Sequence, residues 1–74
     1  MGKEITKYHR RIAIAGSLNK IWLSYSYPYS IMFVNSEGAI LDIKNKIIRK
    51  EDDGYYLFFN SNENILNVEL YILC

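Results

Sequence analysis

From Ile21 to Val34 the chain alternates strictly. Ile21, Leu23, Tyr25, Tyr27, Tyr29, Ile31 and Phe33 are apolar or aromatic, and Ser24, Ser26, Pro28 and Ser30 fall between them. A period of two is the mark of extended backbone with one buried face, because successive side chains of a strand point to opposite sides. The stripe places the chain in the all-β class. Pro28 leaves its path open, since proline has no N–H to give to a ladder. Phase argues against a two-residue loop at Tyr27-Pro28, because it would set half of the stripe on the wrong face. Two paths keep the stripe together. One is a hairpin with the three-residue loop Tyr27-Pro28-Tyr29, which pairs Tyr25 with Ile31 and Leu23 with Phe33. The other is a single long strand bent at Pro28, lying at an edge or a bulge.

The remaining segments read as short strands joined by turns. Tyr8 to Ala15 carries Ile12 and Ile14 in alternation and closes at Gly16-Ser17. Asn35-Ser36-Glu37-Gly38 and Glu51-Asp52-Asp53-Gly54 each end in glycine after small or acidic residues, the pattern of a hairpin turn whose last residue needs positive φ. Tyr55 to Phe59 is a short apolar strand and Asn60 to Asn64 a polar loop. Leu66, Val68, Leu70 and Ile72 then alternate with Asn67, Glu69 and Tyr71. Ala39 to Lys50 is ambiguous, because Ile40, Leu41, Ile43, Ile47 and Ile48 also fall on one face of a helix. Its β-branched residues and flanking turns favour strand, with a short helix in 39–50 as the alternative. The expected architecture is a small antiparallel meander or partly open barrel of about six strands. A sheet this small must curl up or have its free face covered, for instance by a second copy.

A chain of 74 residues makes one small β domain, here 1–74 with a short basic N-terminal arm. Such a domain buries only about 60% of the surface its unfolded form exposes. Half of the residues are hydrophobic and seven are tyrosine, the composition of a folded chain. Cys74 stands alone, so no internal disulfide forms, which fits a reducing, cytoplasmic setting. Met1 to Tyr8 lacks the apolar core of a signal peptide. The longest uncharged stretch, Ile21 to Ser36, is too short and too rich in serine and tyrosine to serve as a membrane span of about 20 apolar residues.

The inventory for chemistry is thin. There is one histidine, and no arrangement of nucleophile and base is visible, so no catalytic residue is assigned and the chain reads as non-enzymatic. Metal ligands at zinc spacing are absent, and the acidic run Glu51-Asp52-Asp53 lacks the alternating oxygens of a calcium loop. Gly16 is isolated and makes no phosphate-binding loop. No metal or cofactor is expected.

What remains is surface. On the polar side of the alternating segment, Trp22, Met32 and Val34 fall in one row among small residues, the composition of a protein-binding patch. The first twenty residues hold Lys3, Lys7, Arg10, Arg11 and Lys20 against Glu4 alone, whereas the rest of the chain is mildly acidic. Lys3, Lys7, His9, Arg10 and Arg11 are therefore the candidates for contact with nucleic-acid phosphates, with exposed aromatics stacking on bases. The favoured reading is a protein-binding module, an inhibitor or adaptor that blocks a partner protein. Isoleucine, asparagine, lysine and tyrosine far outnumber glycine, alanine, arginine and proline, a bias toward AT-rich codons that fits a low-GC bacterium or its phages, and size and composition together fit a counter-defence protein of a phage or other mobile element. The alternatives are a nucleic-acid-binding barrel and a homo-oligomeric structural protein whose thin core gains from association. No membrane partner is expected.

Overall fold

The structure is a computed structural model that describes residues 7–74. Seven strands form among them: β1 (Lys7–Ile14), β2 (Leu18–Ser24), β3 (Ser30–Val34), β4 (Ile40–Leu41), β5 (Ile47–Glu51), β6 (Gly54–Asn60) and β7 (Ile65–Leu73). They make two antiparallel sheets, one in the order β1-β7-β3-β4 and the other β2-β6-β5. The chain is all-β, with no helix among the described residues, and the sheets do not close into a barrel. The 39–50 segment is strand at both ends, β4 and β5, with a bend between them in which Asn45 takes positive φ.

Each sheet covers the other. Ile14, Phe33, Val68, Leu70 and Ile72 from the first sheet meet Leu23, Leu57 and Phe59 from the second, and all are buried. The rings of Phe33 and Phe59 meet edge to face at 5.6 Å. The free face that the sequence left to a barrel or a second copy is thus filled from within the chain. To build this pair the chain passes between the sheets at 15–17, 25–29, 42–46 and 61–64. Asn19 fixes the first crossing: its buried side chain donates to the carbonyls of Ala15 and Ser17 and accepts from the Ala15 N–H.

The two glycine-ended turns make the hairpins β3–β4 and β5–β6, as their sequences predict. Gly38 has φ 86° and Gly54 φ 133°. Gly54 is confined twice over, because a Cβ there would stand 2.6 Å from the Ser24 carbonyl oxygen and 2.7 Å from Trp22 Nε1.

Two sequence expectations change. Pro28 is neither a hairpin tip nor a bend in one strand, because β2 and β3 belong to different sheets and do not pair. Leu23 and Phe33 are buried at its two ends, but Tyr25, Tyr27 and Tyr29 are 80%, 63% and 78% exposed. The apolar period continues through a crossing that serves no core. Leu66, expected on the inner face with Val68, is exposed. A bulge explains it: Ile12 pairs with Val68 but Ile14 with Ile65, and Asn67 takes φ 57°. One extra residue on β7 turns Ile65 inward and Leu66 outward.

Leu57→Ala and Leu70→Ala are each expected to destabilise the fold by about 2–5 kcal/mol, the range for truncating a buried leucine. Leu66→Ala is expected to change stability by less than about 0.5 kcal/mol. Urea unfolding followed by circular dichroism measures all three, and a large loss at Leu66 would contradict the bulge.

Candidate functional site

The tyrosine crossing, 25–29, is held at both ends. Before it, Ser24 is buried, donates its hydroxyl to the Ser26 carbonyl and accepts from the Cys74 thiol at 3.2 Å. After it, the Tyr29 N–H donates to the Leu73 carbonyl, and Pro28 is itself buried. Proline also restricts the backbone of the residue before it. The result is a fixed loop whose tyrosines point away from the core.

Two of those rings lean on neighbours. Tyr25 meets Trp22 edge to face at 5.1 Å, and Tyr27 meets Tyr55 at 5.5 Å. Trp22 is locked in turn: its Nε1 donates to the Asp53 carbonyl at 2.8 Å, and the Arg10 guanidinium lies 5.3 Å from its ring centre. Arg10 also donates to the Leu23 carbonyl at 2.8 Å, and its partial burial lowers its pKa from the ordinary value. The surface is aromatic with polar tips, and tyrosine and tryptophan give large contact area at low entropic cost because each has only two rotatable side-chain bonds to fix.

The residues singled out in the sequence do not form the patches expected of them. Trp22 lies on β2 in one sheet, while Met32 and Val34 lie on β3 in the other. Met32 is opposite Tyr71, and Val34 is opposite Glu69 on one side and Ile40 on the other, on the outward face of the first sheet. The basic arm is divided as well. Lys3 lies outside the described residues. Lys7, His9 and Arg11 point outward from β1, whereas Arg10 points toward the second sheet and Trp22.

His9 and Arg11 are engaged by one acid. His9 Nε2 lies 2.7 Å from Glu69 Oε2 with its ring stacked on Tyr71, and Arg11 reaches Glu69 Oε1 at 3.2 Å. Hydrogen bonding from His9 foremost, and from Arg11, holds the Glu69 carboxyl below the usual range despite some desolvation. One carboxylate thus engages two of the five residues of the expected cationic surface, and its single negative charge offsets that of Arg11.

The sequence did not single out Tyr25, Tyr27 and Tyr29 as a site. Their exposure was hidden because they keep the phase of a strand, although Tyr-Ser-Tyr-Pro-Tyr-Ser has the composition of a recognition loop. Farthest from the loop along β6 and β7, an open groove of about 490 Å³ lies between the sheets. Ile14, Leu41, Ile43, Phe59 and Ile65 form its apolar part, and Asp42, Lys44 and Asn62 are among its polar residues. No group of three metal-ligating side chains occurs among the described residues, and no helix there is long and apolar enough to cross a membrane.

The depressed Glu69 pKa has a testable sign. The folded state favours the ionised carboxylate, so this contribution is present above the unfolded carboxyl pKa of about 4.5 and fades as pH falls through the lower folded value. Melting temperatures measured from pH 6 to pH 3 are expected to fall less steeply for Glu69→Gln than for the native protein, and equal slopes would show that the pair adds nothing. Comparisons with protein-family models, with curated proteins and with solved structures return no match, so the functional reading rests on the chemistry of these surfaces.

Proposed function

We propose that this is a small protein-binding module that docks on a partner protein through the 25–29 loop, with Trp22 at its flank. The observation that carries the reading is the display of Tyr25, Tyr27 and Tyr29, each more than 60% exposed, on a loop pinned at both ends. Exposed rings of this size gain little for the folded chain, whereas tyrosine and tryptophan are the residues that most often dominate protein interfaces. The hydroxyls supply hydrogen bonds at the rim of each contact, and the serines between them leave room for a partner to approach.

A module of this kind acts by occupation. It blocks or tethers its partner, as an inhibitor or an adaptor would, and requires no chemistry of its own. The AT-rich codon bias is in keeping with a phage or other mobile element as its source. Met32, Val34 and Ile40 on the far face are the place where a second copy would add contact, and light scattering at high concentration tests that arrangement.

The test is affinity capture from bacterial lysate with nuclease present, read by mass spectrometry, followed by titration of the captured protein. The triple variant Tyr25→Ser/Tyr27→Ser/Tyr29→Ser is expected to keep its melting temperature within a few degrees, since none of the rings is buried. Its affinity for the partner is expected to fall by about thirtyfold or more, the loss given by one hot-spot residue of about 2 kcal/mol. Undiminished binding by the folded triple variant would remove the loop from the interface.

A further inference from the structure

The outward face of the second sheet carries a different chemistry from the loop. Register and burial place Lys20 and Trp22 of β2, Tyr56 and Phe58 of β6, and Ile47, Arg49 and Glu51 of β5 on that face, opposite the buried Leu23, Leu57 and Phe59. Across the strands the rows read Lys20–Phe58–Ile47 and Trp22–Tyr56–Arg49. Each row thus contains a cation beside a ring of the central strand. Lys20 Nζ stands 4.5 Å from the Tyr56 ring centre and 5.8 Å from that of Phe58, and the Arg49 guanidinium stands 5.9 Å from Phe58.

We propose that this face binds single-stranded nucleic acid, with neighbouring bases stacked on Tyr56 and Phe58 and the linking phosphates held by Lys20 and Arg49. Tyr56 and Phe58 are two residues apart on one strand, so their rings are spaced about 7 Å along it. That spacing suits bases drawn apart in an extended single strand, while the base faces of a duplex are hidden in its own stack. The central strand is paired on both sides and holds the rings rigidly. The Tyr56 hydroxyl donates to Asp53 Oδ2 at 2.7 Å, which fixes the ring further and raises the phenol's pKa.

The cations are matched to this use. A side chain that reaches the ring also reaches the phosphate of a base lying on that ring, and cation–π contacts at exposed sites are weak enough to be displaced. Lys20 and Arg49 are both exposed. Glu51 opposes binding: its Oε1 lies 2.9 Å from Lys20 Nζ, and its charge has the sign of the phosphate. The site borders the tyrosine loop at Trp22 but uses none of its tyrosines, and it lies on the other sheet from Lys7, His9 and Arg11.

The experiment is fluorescence anisotropy of a labelled oligothymidylate at low salt, with quenching of Trp22, the sole tryptophan and the direct neighbour of Tyr56, as a second signal. The native protein is expected to bind, with log K falling against log salt at a slope of about −1.4, or about −0.7 for each of two phosphates. Tyr56→Leu and Phe58→Leu are each expected to weaken binding by about tenfold, within the range for loss of one base–aromatic stack. Glu51→Gln is expected to tighten it severalfold, and the triple tyrosine-loop variant to leave it unchanged. Failure of the native protein to bind at low salt overturns the proposal, as does full binding by the folded leucine variants. Should those variants not fold, Glu51→Gln decides on its own, because unchanged or weaker binding by this surface variant overturns the proposal as well.

Discussion

The packing of one small sheet against another is the constraint on which the molecule depends. Neither sheet has a core without its partner, since Leu57 and Phe59 are buried only because Phe33, Val68, Leu70 and Ile72 face them. Neither sheet could be made from consecutive strands alone, because the chain alternates between them to set strands in both. Crossings are the cost of this plan. Each must leave one sheet with an inward side chain and enter the other in the same way, and Leu23 and Phe33 do so on either side of the tyrosine run.

The local rules were legible in the sequence wherever one sheet face is buried without interruption. Val68, Leu70 and Ile72 follow their alternation into the core, and the two glycine-ended turns make the hairpins their sequences require. The pairing of the sheets was not legible, because alternation states which face of a strand is apolar but not which strand lies beside it. Tyr25 to Tyr29 shows the difficulty most clearly. A ring at every second residue is equally compatible with burial and with display, and only the positions of β2 and β3 in separate sheets decide between them. Leu66 failed for a smaller reason, the one-residue bulge at Asn67, which nothing in its neighbours announces.

The candidate site was partly visible. Trp22 stands out in the sequence as a lone tryptophan among small residues, and the structure sets it half-buried between Arg10 and Tyr25. Its supposed companions Met32 and Val34 belong to the other sheet, because the row they shared in sequence is interrupted by the crossing. The basic arm illustrates a second effect. Charge counted along a sequence takes no account of partners, and Glu69, sixty residues from His9, lies between His9 and Arg11 in space. The cations beside the rings of β6, Lys20 and Arg49, come from the strands on either side of it.

The separation of the tyrosine loop from the core has a consequence for how such a chain can change. Ser24, Pro28 and the backbone contact to Leu73 fix the two ends, and no ring between them fills space that another residue must vacate. Substitutions at 25, 27 and 29 therefore alter the chemistry that the loop displays while leaving the two-sheet body intact. The body functions as a frame that can carry many different short inserts at one position. Under the proposed docking role, a lineage that has to follow a changing partner can rewrite those residues without first repairing its fold.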